Sequence, residues 1–375
     1  MSNSEGFTAA FEPLADFARG DGWRALAAGA LEPNPYYEPD MLTAAARHLG
    51  RAGAMRLLVV RETRADHRPV ALLPIQNPRL RDGILFGAWS LYANPYTSLT
   101  IPLLAAECAG PALRTALRRL AAEPDAPDVL HFPLVTEQRG FAALLAQVAA
   151  AEGLARLAVT RHARPAIDPA ATTAPAVPRH RRLDRKARRL AALGAVTTGT
   201  VFSGEPDFPA ALDAFLALEA AGWKGRRGTA LACRPDTQAY ARQAFSGASQ
   251  RIMIESLALD GRAIAMNLNL VSGRTVFTVK TAYDETHAAA SPGQLLDRHV
   301  AERIAADPDL DRADSCAQPD HPMGALWRER EPVATLLVGL APTLCAAALE
   351  PMAARMRLAS RWRKRLRAVR ERLGV

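Results

Sequence analysis

Residues 251–283 read RIMIESLALDGRAIAMNLNLVSGRTVFTVKTAY, and the fold turns on this stretch. Three β-rich runs, at 251–259, 263–271 and 275–283, are joined by Asp260-Gly261 and Ser272-Gly273. Both dipeptides favour the positive-φ residues of tight hairpins, so the stretch predicts an antiparallel meander. Ser291-Pro292-Gly293 then opens a helix expected to reach about Ala306, with Pro292 suited to a first helical turn. A strand at 313–316, a short helix at 322–330 and a strand at 333–340 follow. Ahead of the meander the pattern gives a basic helix at 179–193, a strand at 196–202, and helices at 209–221 and 236–244.

The first half repeats this order more loosely. Helical segments around 13–19, 22–30 and 38–49 precede strand-like runs at 55–61, 69–75, 84–91 and 97–103. A helix at 111–122, a strand at 129–133, a helix at 137–152 and a strand near 157–161 complete it. Residues 168–178, rich in Ala, Thr and Pro, read as a linker. The expectation is an α/β chain with mixed (α+β) sheets, built from a duplicated unit whose halves, 1–167 and 179–345, pack together and carry a C-terminal helix at 346–375.

Composition narrows the function classes. A chain of 375 residues can bury two cores of ordinary size. The net charge of +9 is local: seven basic residues against Asp184 lie in 179–189, and nine against Glu371 lie in 355–372. The chain is therefore not generally basic, and without aromatic interleaving no DNA partner is expected. Only Lys186, Lys224, Lys280 and Lys364 are lysines, which draws attention to each. Cys108, Cys233, Cys316 and Cys345 are widely spaced, and the start of the chain lacks a basic segment before an apolar run. Both features lead to the expectation of a reducing, cytoplasmic setting. The uncharged run 333–349 is interrupted by Gly339 and Pro342 and reads as a buried strand followed by a helix start, not a membrane span. Walker, dinucleotide-binding, serine-elbow and zincin motifs are absent, and the spacing of Asp314, Cys316, Asp320 and His321 fits no standard metal site, so no metal is expected.

The run from Phe215 to Gly225, FLALEAAGWKG, continues to Gly228-Thr229-Ala230. Together with Lys280-Thr281-Ala282-Tyr283-Asp284, Ser291-Pro292-Gly293, and the segment from Asp314 through His321 to Trp327, it resembles the CelD-type acetyltransferase-like family. That family is a GNAT branch related to the Fem-type peptidyltransferases. The resemblance implies an N-acyltransferase moving an acyl group from an acyl-CoA thioester, acetyl-CoA or another, to an amine or hydroxyl. The acceptor would be a small molecule or glycan precursor, in envelope polysaccharide metabolism. Two alternatives stand beside it: a Fem-like aminoacyltransferase using charged tRNA, and a catalytically idle GNAT-fold accessory protein.

The resemblance also distributes roles. Strand 275–284 would be the splayed GNAT strand that pairs with the pantetheine arm, its N–H groups stabilising the oxyanion. Lys280, Tyr283 and Asp284 would meet the acceptor at its end, strand packing and a turn cap being the plainer roles for the last two. Ser291, Pro292, Gly293 and Gln294 would seat the donor's pyrophosphate on the helix N-terminus. The usual glycine-rich signature of the superfamily is missing there, which favours the tRNA alternative. Lys224, flanked by glycines beside Trp223, can hold an anionic group, or be solvated while Trp223 fills the core. Glu219 is a candidate general base, with an ordinary salt-bridged role as its rival. His321 or Cys316 is a candidate acid for the leaving thiolate, His321 being otherwise a helix-start residue. Trp223 and Trp327 are candidate substrate contacts.

Met352, Met356, Ala359, Trp362, Leu366, Val369 and Leu373 recur at three- and four-residue intervals among arginines. Such a helix can dock on its own domain or lie on an anionic membrane surface, a peripheral contact through 352–373.

Overall fold

The computed structural model describes residues 6–373 except 51–54, 65, 77–79, 82, 83, 86, 125, 126, 169, 171–179 and 249. The expected linker at 168–178 therefore lies, apart from Asp168 and Ala170, outside the described residues. Two compact units are formed: Met1–Pro39, Gly50–His162 and Pro332–Val375 make the first, Asp40–Leu49 and Ala163–Glu331 the second.

Each unit builds its sheet along the same path. In the first, Phe7–Glu12, Met55–Glu62, Pro69–Gln76 and Trp89–Leu91 pair antiparallel in succession. Val129–Thr136 joins parallel to the fourth strand, and the segment Val333–Gly339 pairs antiparallel with it. The helix Ala109–Ala121 links the fourth and fifth strands. The strand Phe7–Glu12 is not expected from the sequence, and the run at 97–103 contributes only Leu103–Leu104.

The second unit begins with helix α1 (Arg181–Ala191), strand β1 (Val196–Phe202), helix α2 (Phe208–Ala221), the single turn α3 (Trp223–Arg226) and helix α4 (Pro235–Ala244). The meander follows as β2 (Arg251–Leu259), β3 (Arg262–Ser272) and β4 (Thr275–Tyr283), then helix α5 (Pro292–Ala306) and β5 (Arg312–Asp314). Strands β1 to β4 are antiparallel neighbours, β5 pairs parallel with β4, and Ala166–Ile167 pairs antiparallel with β5. The sixth sheet position is thus filled in the first unit by a segment near the chain's C-terminus, and in the second by the end of the chain's first half.

Alternation along β2 to β4 gives each face of this sheet its own core. Met253, Leu257, Ala265, Val271 and Val276 pack with Leu295, Leu296, Val300 and Ile304 of α5 and with Trp327. Helix α2 buries Phe208, Leu212, Phe215, Leu216 and Glu219, a stripe at three- and four-residue intervals. Glu219 alone among them is charged. The segment expected as a helix at 322–330 is a 3₁₀ turn at Pro322–Ala325 followed by strand from Glu329. The uncharged run at 333–349 divides into that strand and the start of helix α6 (Ala346–Leu373), as its Gly and Pro suggest. Among the described residues no helix is long and apolar enough to cross a membrane.

Candidate active site

A pocket of about 280 Å³ opens where α2 ends against the second half of β4. Leu218, Glu219, Gly222, Trp223, Lys224, Thr281, Ala282, Tyr283 and His321 line it. The pocket owes its place to two irregularities. The β3–β4 register slips between Leu268, opposite Lys280, and Asn269, opposite Thr278. A bulge of this kind bends a strand and ends regular pairing. On the other edge, the parallel pairing with β5 ends with Phe277 opposite Asp314. Residues 278–283 therefore continue past β5 as an edge beside the pocket.

Three charged side chains organise it. Glu219 is fully buried, and its carboxylate sits 3.0 Å from Lys280 Nζ and 3.4 Å from Lys224 Nζ. Its other oxygen accepts the Leu231 N–H at 2.8 Å. Lys224 Nζ also donates to the Thr281 carbonyl at 2.6 Å, tying α3 to the strand edge. Burial pulls the Lys224 ammonium below the usual lysine range; Glu219 opposes this and Lys280 adds to it. With both carboxylate oxygens occupied, Glu219 is placed to hold the two lysines rather than to collect a proton from an acceptor.

The turn carrying Trp223 and Lys224 is held from several sides. The Trp223 N–H donates to Glu285 at 2.9 Å, and Arg226 pairs with the same carboxylate at 2.5 Å. A Cβ on Gly225 would stand 1.7 Å from the Ala220 carbonyl oxygen. Gly225→Ala should therefore displace the turn, costing about 1–3 kcal/mol as overpacking does, read as a lower urea midpoint. Trp223 does not fill the core: it is 40% exposed, with the Arg227 guanidinium 5.2 Å from its ring.

His321 lines the pocket and starts the 3₁₀ turn, its Nδ1 accepting the Met323 N–H at 3.3 Å. That acceptor role assigns the proton of the neutral ring to Nε2. Burial, followed by the nearby Lys224 charge, pulls its pKa below the ordinary histidine value, with Asp320 opposing.

Other expected site residues fall elsewhere. Asp284 accepts the Thr286 N–H at 3.0 Å and its hydroxyl at 2.7 Å, and these bonds hold its carboxyl below the usual range. It is a turn cap and does not line the pocket. Trp327 is fully buried and donates from Nε1 to the Asp297 carbonyl at 3.1 Å, so it offers no surface to a substrate and belongs to the core. Ser291, Pro292, Gly293 and Gln294 do begin a helix. Ser291 adopts the left-handed conformation (φ 52°) and its hydroxyl is met by Lys186 Nζ. Its side chain makes no cap bond to α5, and a Cβ on Gly293 would find only Tyr283 at 3.9 Å.

Sequence reasoning passes over the Thr281 carbonyl and Glu285, since neither a carbonyl's direction nor a partner 62 residues away has a local signature. The position of Lys186 at Ser291 is likewise tertiary, although lysine scarcity marks it.

The region 178–321 matches the family model described as the acetyltransferase (GNAT) domain. The likeness to that family is carried by this region, 144 of the 375 residues. No curated protein matches the chain. Among solved structures, the C-terminal domain of a putative lysylphosphatidylglycerol synthetase from Agrobacterium fabrum is similar over 92% of this chain and 96% of its own. The identity is 14% and the TM-score 0.53. FemX is similar over 92% of this chain and 99% of its own, at 8% identity and TM-score 0.53. A conserved protein of unknown function from Bacteroides thetaiotaomicron covers 89% of this chain with all of its own length, at 12% identity and TM-score 0.53. At such identities the likeness is one of fold, a duplicated GNAT-like fold.

Beneath the GNAT meander, Asp297 of α5 is buried and accepts from the Asn267 amide at 3.4 Å. Burial raises its pKa to about 7, against the Asn267 bond and with help from Glu255. Between about pH 4 and 7 the folded chain then keeps a proton the unfolded chain has lost, so stability falls as pH rises through that window. Asp297→Asn should flatten this slope, narrowing the pH 4 to pH 8 difference by on the order of 4 kcal/mol in urea titrations.

Proposed function

We propose that this pocket transfers an acyl group from an acyl-CoA thioester to the amine or hydroxyl of a small acceptor. The observation carrying the reading is the strand edge at 278–283, left beyond β5 with Lys224 fastened to the Thr281 carbonyl. An extended pantetheine arm can add to such an edge by main-chain hydrogen bonds. The start of α5, without a side-chain cap and with Lys186 beside it, suits a pyrophosphate. The acceptor nitrogen attacks the thioester carbonyl, the C–N bond forms, and the carbonyl electrons move to oxygen. Strand N–H groups and the Lys224 ammonium stabilise that oxyanion. As it collapses the C–S bond breaks and the neutral His321 ring hydrogen-bonds the departing thiolate through its Nε2–H; the attacking nitrogen loses its proton to solvent, and solvent returns a proton to the thiolate. Trp223 supplies an aromatic wall for the acceptor, in keeping with an amino-sugar or glycan-precursor class.

Calorimetric titration with acetyl-CoA, a longer acyl-CoA and free CoA tests the donor. Micromolar binding that Gly293→Trp removes, with thiol release on adding acceptor amines, is the expected result. No binding of any of the three defeats the acyl-CoA reading.

A second reading rests on a specific departure: the glycine-rich signature is absent at 291–294, while α1 carries an arginine-rich face. Two structures of similar fold bear the names FemX and lysylphosphatidylglycerol synthetase, the latter naming a lysyl group and a lipid acceptor. An aminoacyl ester on tRNA would then be the donor. Charged-tRNA binding that weakens steeply with salt supports it, and salt-insensitive or absent binding removes it. A protein inert toward both donors would be the non-catalytic accessory protein.

A further inference from the structure

Helix α6 changes character along its length. Leu349 and Ala353 are buried, and with Met352 and Met356 they pack on Val129, Val159 and Leu337 of the first unit. Beyond that docked portion Leu358, Trp362 and Leu366 follow at four-residue intervals and are 56%, 57% and 55% exposed. At about 100° per residue the three fall within about 80° of one another, on a sector facing away from the docked stripe. Large apolar side chains this exposed are few: among the described residues Leu193 is the other one above half exposed, with Trp223 and Val196 less open.

The charges around the stripe are strongly one-sided. Residues 355–372 hold nine Arg or Lys against Glu371. Arg357 pairs with Glu350 at 2.5 Å; in the sequence after Arg357 the one acid up to Leu373 is Glu371. A solvated basic helix does not need an aligned Leu-Trp-Leu stripe, and a helix docked on its own domain would bury it. Apolar residues that enter an acyl-chain boundary, with cations beside them, fit the surface of a bilayer containing anionic lipid. Nucleic acid would match the charge but give the aliphatic pair nothing to cover.

We propose that the C-terminal portion of α6 seats this protein on an anionic membrane surface, lying in the interface with Leu358, Trp362 and Leu366 inserted and its arginines against phosphate headgroups.

The test uses the full chain and sedimentation with vesicles of phosphatidylcholine alone or mixed with phosphatidylglycerol. Binding is expected only to the mixed vesicles, and Leu358→Ser/Trp362→Ser/Leu366→Ser should weaken it at least about tenfold, as burial of apolar area requires. Because all three residues are exposed, the melting curve should not move. Brominated lipids should quench part of the tryptophan emission in the wild type and not in Trp362→Phe. Failure of the wild type to bind mixed vesicles overturns the proposal. So does undiminished binding by the serine variant, or unaltered quenching in Trp362→Phe. Binding of single-stranded RNA in place of vesicles would assign the segment to nucleic acid instead.

Discussion

Lys224→Ala lowers kcat about 10²- to 10³-fold, the loss typical of removing one donor to a developing oxyanion. The ammonium is not placed by chance: Glu219 and the Thr281 carbonyl fix it at the strand edge where the thioester carbonyl is proposed to lie. Lys280 remains beside Glu219 in the variant, so the carboxylate is not stranded and the loss is chiefly catalytic. The pH profile provides the second readout. The charged form is the active one and burial pulls its pKa below the lysine range, so wild-type activity falls as pH rises through that lowered value. The alkaline limb disappears in Lys224→Ala. An unchanged profile with a fall in kcat would mean that Lys224 only supports the turn, and an unchanged kcat would remove it from the chemistry.

Glu219→Ala destabilises the second unit by about 3–5 kcal/mol, the cost of removing one member of a buried ionic group. The substitution leaves two largely buried ammonium groups facing each other and deprives the Leu231 N–H of its acceptor. Urea unfolding followed by tryptophan fluorescence measures it. The pH dependence has a definite sign. Glu219 raises the Lys224 pKa in the folded chain, so its removal lowers that pKa further below the unfolded value. Between the two values the unfolded chain binds more protons, and the variant regains stability as pH rises through them. The double variant Glu219→Ala/Lys224→Met should recover part of the loss, because one of the uncompensated charges is gone. A single variant within about 0.5 kcal/mol of wild type would show that water compensates the lysines and that the triad is not a buried one.

These two experiments separate roles that the chain order alone leaves entangled. Glu219 is a candidate base when read as a residue; surrounded by two lysines and a backbone N–H it becomes the group that positions them. Asp284 moves from candidate chemistry to a turn cap, and Trp327 from substrate contact to core, for the same reason: each has its hydrogen-bonding capacity spent inside the fold. The clue for Glu219 was present in the sequence, since it occupies an inward position of the Phe208–Ala221 stripe where an apolar residue is expected. A charge at such a place predicts buried partners, although not which ones.

Much of the architecture is determined locally. Asp260-Gly261 and Ser272-Gly273 set the hairpins, alternation set the two faces of the meander, and Pro292 marked the start of α5; all of these depend on neighbours in the chain. The sequence by itself also determined the amphipathic character of α6 and the concentration of charge there. Tertiary structure alone decided what fills the sixth position of each sheet, where the parallel partner of β4 stops, and which lysines share Glu219. Strand pairing and ion pairing join residues tens to hundreds of positions apart, and their energies depend on backbone register and burial that no local pattern records.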